Sequence, residues 1–314
     1  MKYRAFGSMG WRVSEIGLGT FAIGGYWGPS DDNMSKRVIE KSYELGVNFY
    51  DTADVYGRGK SERFIAEIFV DNNMRSDIFI ATKGGHDFYT SPPKLLRNFD
   101  VSYLDNALNR SLERLHTDYI DVYQLHGPAV EIMQQEHVFE FLEKAKKDGR
   151  IRAAGVSVYD LAGVEEALRN DVVDSVQFVL NILVNHDEVK NILSACATRG
   201  VGIIAREPLA QGLLTGKYGV DASFPEDDHR AAKWTHEYLE KQLTKVSKLS
   251  TLADKNRNLS QVALLFVLAH QEVSVVIPGA RDLQQLFDNI RTTDLPSLTE
   301  RELEIIRSIR IEQS

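Results

Sequence analysis

Short apolar runs recur along the chain and alternate with longer segments of helical periodicity. The apolar residues in eight of these runs are nearly continuous, which is typical of parallel strands covered on both faces. The predicted strands are Ile16–Gly19, Val47–Tyr50, Ile78–Thr82, Tyr119–Leu125, Ile151–Val156, Val173–Val179, Val201–Ala205 and Ser274–Ile277. Strand–helix alternation predicts right-handed βαβ units and a parallel sheet.

The number of strands indicates the architecture. Eight βα units favour an α/β fold of the (β/α)8 TIM-barrel type, with an open doubly wound sheet as the alternative. Residues 3–6 and 12–14 flank a Gly-Ser-Met-Gly turn and predict an N-terminal β-hairpin. The long interval 206–273 predicts an extra helix around 234–255, between strand 7 and helix 7 near 260–269. Because no linker or repeat divides the chain, we expect a single domain over residues 1–314.

One helix carries clear local signals. Its predicted start is Ser102, with Asp105 three positions later in an arrangement like a capping box. Leu104, Leu108 and Leu112 follow at helical spacing and predict the buried stripe of this helix.

Composition excludes several classes of protein. The 314 residues include 37 Lys plus Arg and 45 Asp plus Glu, and a net charge of −8 argues against broad nucleic-acid binding. A single cysteine, Cys196, excludes an internal disulfide and favours a reducing compartment. The longest apolar run, Val262–Ala269, is too short to span a bilayer, and the N-terminus lacks a signal-peptide core. We therefore expect a cytoplasmic protein without a membrane partner, and no pattern indicates its oligomeric state.

Polar residues follow three neighbouring predicted strands. Asp51 ends the second, Lys83 the third and His126 the fourth, and Tyr56 lies in the loop after the second. The C-terminal ends of barrel strands meet at one mouth, where barrel enzymes have their active sites. The histidines show no H-E-x-x-H pair or comparable spacing, so we expect no metal site.

These four side chains have a coherent acid–base chemistry. A nearby ammonium lowers the pKa of a phenol, so Lys83 would make Tyr56 a better acid. Asp51 can hold Lys83 in place, and a neutral His126 can donate a hydrogen bond to a substrate oxygen. Taken singly, Asp51 also fits a helix cap, Tyr56 a half-buried loop aromatic and His126 a core histidine.

Motifs across essentially the whole chain resemble those of the aldo-keto reductase superfamily. Besides Lys83 and His126, the segments that carry the resemblance are Gly17–Thr20, Phe49–Gly57 with Gly59–Glu62, Gly155–Ser157, Gln177, Pro208–Lys217 and Ile277–Arg281. The resemblance implies an NADPH-dependent reductase of an aldehyde, ketone or sugar, with Asp51, Tyr56, Lys83 and His126 as its catalytic residues. Loop aromatics could supply apolar walls for a substrate, although exposed loop aromatics are an equally good interpretation of each, and the candidate substrate-binding residues are Tyr26, Trp27, Tyr56 and His126.

The resemblance also implies a binding site for NADP(H). Its implied residues are Thr20, Asp51, Ser157, Gln177, Arg206, Leu209, Gln211, Lys217, Gly279, Arg281, Gln285, Asp288 and Asn289. Arg281 would meet a 2′-phosphate, which suits a guanidinium, although a solvated surface charge explains it equally well.

Three positions depart from the pattern of this superfamily. Val158 stands where many relatives carry a polar residue, and Arg206 stands where many place an aromatic ring against the nicotinamide. Asp288 replaces the usual Glu and is one methylene shorter. We therefore expect altered contacts to the carboxamide, the nicotinamide face and the adenine end of a bound cofactor.

Two rival functions are compatible with the same barrel. Lys83 could be the Schiff-base nucleophile of an aldolase or lyase, although a nearby Asp51 keeps a lysine charged and poorly nucleophilic. A cofactor-sensing binding module is the other rival, because channel-associated members of the superfamily share the fold and usually lack the histidine that His126 supplies.

Overall fold

Parallel strands and helices alternate in the computed structural model, which describes residues 1–25, 30–89, 96–184, 186–226, 228–231 and 233–311. The strands are β1 (Tyr3–Ala5), β2 (Arg12–Ser14), β3 (Leu18–Gly19), β4 (Phe49–Asp51), β5 (Phe79–Gly84), β6 (His86–Asp87), β7 (Leu96–Arg97), β8 (Ile120–His126), β9 (Ile151–Ser157), β10 (Val173–Val179), β11 (Gly202–Arg206) and β12 (Val275–Val276). The helices are α1 (Asp32–Glu44), α2 (Lys60–Ile65), α3 (Val101–Arg114), α4 (Val130–Met133), α5 (Glu136–Lys147), α6 (Leu161–Ala167), α7 (His186–Arg199), α8 (His236–Leu249), α9 (Leu259–Leu268), α10 (Leu283–Arg291) and α11 (Glu300–Ile311).

Eight parallel strands form the central sheet, in the order β12-β11-β10-β9-β8-β5-β4-β3. Backbone hydrogen bonds close this sheet on itself: Gly17 N donates to Val276 O at 2.8 Å, and Gly19 N donates to Pro278 O at 3.1 Å. The closure excludes the open doubly wound sheet and confirms the (β/α)8 barrel. The eight predicted strands correspond in order to the eight observed ones.

The antiparallel hairpin β1–β2 covers the end of the barrel at which the strands begin. Phe6 and Trp11, which flank its turn, stack with each other at a ring-centroid distance of 5.7 Å. Phe6 also stacks on Phe49 at 5.6 Å and Trp11 on Phe79 at 5.2 Å, and both partners lie at strand starts. The hairpin therefore closes the N-terminal end of the barrel with apolar rings, and the C-terminal ends of the strands stay uncovered by it.

Two helices test the local predictions. The extra helix is confirmed as α8, which lies between β11 and α9. The predicted capping box at Ser102 is wrong, because α3 begins at Val101 and Asp100 is its N-cap without a side-chain capping bond. Asp105 instead accepts a hydrogen bond from Arg150 at 2.8 Å, so a tertiary ion pair uses the carboxylate. No helix in the described ranges is both long and apolar enough to cross a membrane.

Candidate active site

The four predicted catalytic side chains lie at one end of the barrel. Asp51 is the last residue of β4, Lys83 lies near the end of β5, and His126 is the last residue of β8. Because β4, β5 and β8 are neighbouring parallel strands, their C-terminal ends meet. Tyr56 is buried in the loop after β4.

A buried ion pair forms the base of the site. Lys83 Nζ donates to Asp51 Oδ1 at 2.6 Å and to the Thr52 carbonyl oxygen at 2.7 Å. The Lys83 side chain is 0% exposed, and that of Asp51 is 4% exposed. Burial lowers the pKa of Lys83, and the adjacent Asp51 carboxylate opposes this effect. Lys83 is therefore a desolvated cation fixed in position by two acceptors.

The Tyr56 ring lies between this cation and the histidine. Lys83 Nζ is 5.2 Å from its centroid, and the His126 ring meets it edge to face at 6.0 Å. The Phe21 ring also packs against it, at 5.2 Å. A Cβ added at Gly24 would lie 3.0 Å from Tyr56 atoms, so only glycine lets these two loops approach so closely.

His126 stacks on a second histidine that the sequence did not single out. The rings of His86 and His126 are 4.3 Å apart and inclined by 5°. Burial lowers the pKa of His86 to about 4 and holds that of His126 well below its ordinary value. The charges of Lys83, Arg206 and Arg97 also disfavour the His126 imidazolium. Both rings are therefore neutral at neutral pH.

A chain of amides and hydroxyls orients the second oxygen of Asp51. Gln177 Nε2 donates to Asp51 Oδ2 at 2.6 Å, and Ser157 Oγ donates to Gln177 Oε1 at 3.0 Å. Gln124 Nε2 lies 3.4 Å from the same Asp51 oxygen. Thr20 Oγ1 donates to the Asp51 carbonyl oxygen at 2.9 Å. Thr20, Ser157 and Gln177, three of the predicted cofactor residues, thus form one network with the ion pair, which Gln124 joins without having been predicted.

Two basic side chains, together with polar and acidic ones, line a cavity. Its volume is about 400 Å³, and its lining includes Lys217, Arg281 and Gln285. The two cations come from different segments, one after β11 and the other after β12. Loops that follow strands 7 and 8 bind phosphates in many barrels of this type. The cavity therefore offers two cations to a phosphate, although the carboxylates of Asp31 and Asp282, which cap α1 and α10, also line it.

The loop after β11 has an unusual backbone. Ala210, Gln211 and Gly212 have φ angles of 47°, 56° and 103°, all in the left-handed region. Such conformations cost non-glycine residues energy and concentrate at functional sites, where successive N–H groups can face an anion. Leu209 precedes this run, and Gln211 Nε2 donates to Glu207 Oε2 at 2.9 Å.

The predicted adenine-end residues lie on α10 or beside it. Asn289 is buried and donates through Nδ2 to the Gly279 carbonyl oxygen at 3.2 Å. Gln285 Oε1 accepts from the Arg281 backbone N–H at 3.1 Å. Asp288 Oδ1 accepts from Gln284 Nε2 at 3.3 Å. Two other predicted residues, Tyr26 and Trp27, lie outside the described residues.

Comparison with known proteins assigns the family. The profile of the aldo/keto reductase family matches residues 15–311. The chain belongs to the aldo/keto reductase family. It is 30% identical over 308 residues to "Uncharacterized oxidoreductase YqkF" of Bacillus subtilis, covering 98% of this chain and 96% of that protein. It is 30% identical to "Aldo-keto reductase yakc [NADP(+)]" of Schizosaccharomyces pombe, with 88% and 83% of the two chains covered.

A solved structure extends the likeness to the whole fold. The glycerol dehydrogenase AKR11B4 from Gluconobacter oxydans is 28% identical to this chain and superposes on it with a TM-score of 0.83. The match covers 99% of this chain and 95% of that one. The structural likeness and the family match agree with the barrel described above and with an oxidoreductase that acts on carbonyl compounds.

Behind the site of this aldo/keto reductase lies a buried polar cluster to which sequence reasoning assigned no role. Glu62 accepts from Arg114 Nε at 2.6 Å and from Thr82 Oγ1 at 2.7 Å, and its side chain is fully buried. Burial and the Glu62 charge raise the pKa of Asp54 well above its usual range. Asp54 and Glu62 lie in the motif after β4, which was the available signal, but Arg114, the partner of Glu62, lies on α3.

Proposed function

We propose that this aldo/keto reductase reduces aldehydes or ketones to alcohols with NADPH, and that Tyr56 is the general acid. The observation that carries the proposal is the convergence of Lys83, Tyr56 and His126, with Lys83 Nζ 5.2 Å from the Tyr56 ring and His126 6.0 Å from it. A phenol needs a nearby cation to release its proton readily, and a carbonyl oxygen needs a donor to polarise it.

Each side chain has one task in the proposed reaction. Tyr56 gives its phenolic proton to the substrate oxygen while the carbonyl carbon is reduced. Lys83 stabilises the phenolate that remains, and Asp51 fixes Lys83 through the 2.6 Å contact. Neutral His126 has one ring N–H, which it donates to the same substrate oxygen. In the reverse direction the Tyr56 phenolate accepts a proton from an alcohol.

The residues present fit a nicotinamide dinucleotide. A reduced nicotinamide, when bound, would supply the hydride that the carbonyl carbon receives. Lys217 and Arg281 line the cavity, together with Asp31 and Asp282, and would pair with the phosphates of the cofactor. The segment Ala210–Gly212, which precedes Lys217, has its backbone in the left-handed region. We assign the 2′-phosphate to Arg281, and the name of the yeast relative, which specifies NADP(+), supports this choice.

The remaining predicted cofactor residues divide between the two ends of the dinucleotide. Thr20, Ser157 and Gln177 would hold the nicotinamide end next to Asp51, with Arg206 against its ring. Leu209 and Gln211 would follow the pyrophosphate. Gly279, Gln285, Asp288 and Asn289 would surround the adenosine.

Replacement of Tyr56 by Phe tests the proposal. The Phe ring preserves the contacts with Phe21 and His126, so folding and NADPH affinity remain near wild type. Turnover with a panel of aldehydes falls by about 10²–10⁴, the usual contribution of general acid catalysis. Rates like those of the wild type in this variant would contradict the proposed acid. An intact NADPH site with no turnover of any carbonyl by the wild-type protein would support the cofactor-sensing module instead.

A second function has one observation in its favour. Burial lowers the pKa of Lys83, and neutral lysines form Schiff bases. Against it, Asp51 and the Thr52 carbonyl oxygen accept two of the Nζ hydrogens, at 2.6 and 2.7 Å, which favours the ammonium. Borohydride treatment with a carbonyl substrate is therefore expected to leave Lys83 unmodified. A reduced adduct on Lys83, found by peptide mass spectrometry, would establish the lyase chemistry.

A further inference from the structure

The mouth of the barrel carries a cationic side chain that the proposed reaction does not use, Arg97, beside Arg206, which is assigned to the cofactor. Arg97 lies on β7, and its guanidinium carbon is 5.3 Å from the centroid of the Tyr159 ring. The guanidinium carbon of Arg206 is 4.9 Å from the same ring. Tyr159 is 52% exposed and Arg97 is exposed beside it, whereas Arg206 is only partly exposed.

This cationic pair lies next to the reacting groups. A Cβ added at Gly127 would lie 2.5 Å from the Tyr159 ring, which places that ring against the residue that follows His126. Arg97 pairs through its backbone with His86, whose ring stacks on His126. After burial, the charges of Arg206 and Arg97 are among the causes that lower the pKa of His126.

The two cations differ in their partners. Arg206 donates to Glu207 Oε1 at 2.8 Å and to the Val158 carbonyl oxygen at 3.1 Å, so its charge is largely neutralised within the protein. Arg97 is exposed and forms no ion pair with any carboxylate that the structure describes. In a chain with a net charge of −8, an uncompensated guanidinium beside the catalytic mouth is suited to an anion from outside.

We propose that Arg97, on the Tyr159 side of the mouth, binds an anionic group of the substrate, so that the preferred substrates are aldehydes or ketones bearing a carboxylate or a phosphate. Arg206 contributes to the same positive field without a free charge. The turnover arm of the test rests on the proposed function, and a binding arm is independent of it.

The turnover arm compares matched charged and neutral aldehydes. Wild type, Arg97→Gln and the surface control Arg301→Gln are assayed with NADPH on 4-oxobutanoate against butanal, and on glyceraldehyde 3-phosphate against glyceraldehyde. The first pair tests a carboxylate and the second a phosphate. The wild type prefers at least one anion over its neutral partner in kcat/KM. Arg97→Gln reduces that preference about tenfold, mainly through KM, because one charge-assisted contact is lost.

Salt supplies a further readout. The Debye length falls from about 30 Å at about 0.01 M salt to about 3 Å at about 1 M, so the wild-type preference declines with ionic strength. That decline is shallower in Arg97→Gln, whereas Arg301→Gln behaves like the wild type. Equal kcat/KM values for charged and neutral substrates in the wild type would overturn the proposal. So would an unchanged preference in Arg97→Gln, or the same reduction in Arg301→Gln.

The binding arm tests whether Arg97 binds an anion even if no carbonyl compound is turned over. Calorimetric titration measures 4-hydroxybutanoate against butan-1-ol and glycerol 3-phosphate against glycerol. Tighter binding of an anion to the wild type, weakened about tenfold in Arg97→Gln, supports the anion site even where the reductase proposal fails. Anion binding that is absent, or is equal in both proteins, overturns it.

Discussion

Removal of the charge on Lys83 tests how far the buried ion pair supports the barrel as well as the reaction. In Lys83→Met an unbranched side chain of similar length fills the same space. Asp51 keeps the Gln177 amide donor at 2.6 Å and the weaker Gln124 contact at 3.4 Å, while the Thr52 carbonyl oxygen loses its donor. Asp51→Asn is the reciprocal change, because it removes the carboxylate and leaves the ammonium.

The size of the expected stability loss follows from the burial of both Lys83 and Asp51. Breaking a buried pair costs about 3–5 kcal/mol, because one charge stays uncompensated. The remaining amide donors of Asp51 place Lys83→Met near the lower limit, at about 3 kcal/mol, or a decrease of about 5–10 °C in Tm. In the double variant no lone charge remains. The double variant is therefore expected to lose about 3–4 kcal/mol of unfolding free energy. Two independent losses of about 3 kcal/mol would give about 6 kcal/mol, so the coupling energy is about 2–3 kcal/mol.

Urea unfolding of the four proteins, followed by circular dichroism, gives the coupling energy directly. Lys255→Met is the matched control, since Lys255 is exposed and its replacement is expected to leave the free energy of unfolding within about 0.5 kcal/mol of the wild type. Strict additivity of the two single variants would refute the coupling of Lys83 to Asp51. Turnover offers a separate readout, because both single variants lose about 10²–10⁴ in kcat if Lys83 stabilises the Tyr56 phenolate.

Three further changes probe other parts of the site. Arg281→Gln weakens NADPH binding about tenfold and NADH binding much less, because only NADPH carries the 2′-phosphate. Fluorescence titration measures both affinities, and equal losses would contradict the assignment of the 2′-phosphate to Arg281. Gly24→Ala brings a Cβ within 2.9 Å of the Gly57 nitrogen and so displaces the loop that carries Tyr56. We expect a clear loss of kcat with only a small decrease in Tm. An unchanged kcat would show that the loop adjusts without moving Tyr56. Burial lowers the pKa of His86 from 6.5 to about 4, so between these values the unfolded chain binds a proton that the folded chain does not, and stability falls as the pH decreases. Tm measured over this range declines less steeply in His86→Phe, and identical slopes would contradict the cause.

The barrel could be predicted from the sequence because each strand is a nearly continuous apolar run, and three of these runs are followed by a distinctive polar residue. Asp51, Lys83 and His126 follow or end such runs, and parallel pairing then brings them together without further information. Their roles in catalysis, like the single-domain organisation, stay predictions. The hairpin was readable for a similar reason, because its glycine-rich turn lies between two short alternating segments.

Tertiary partners were not readable, because they depend on which side chains meet across distant segments. The capping box predicted at Ser102 illustrates this, since Asp105 pairs with Arg150 on a different element rather than with its own helix. His86 gave no signal, because a histidine two residues after a strand has no characteristic spacing to His126. Arg206 was recognised as unusual, but its stacking on Tyr159 required the fold.

One electrostatic environment explains two requirements of the proposed reaction. Lys83, Arg206 and Arg97 all oppose protonation of His126, and burial acts in the same direction. A neutral imidazole can donate to a carbonyl oxygen without trapping the product as a tight ion pair. The same positive field stabilises the negative charge that develops on that oxygen, because the cations are in place before the charge forms. Arg206, which stands where many relatives place an aromatic ring, is one of these cations, and its ion pair with Glu207 compensates much of the charge that this departure adds.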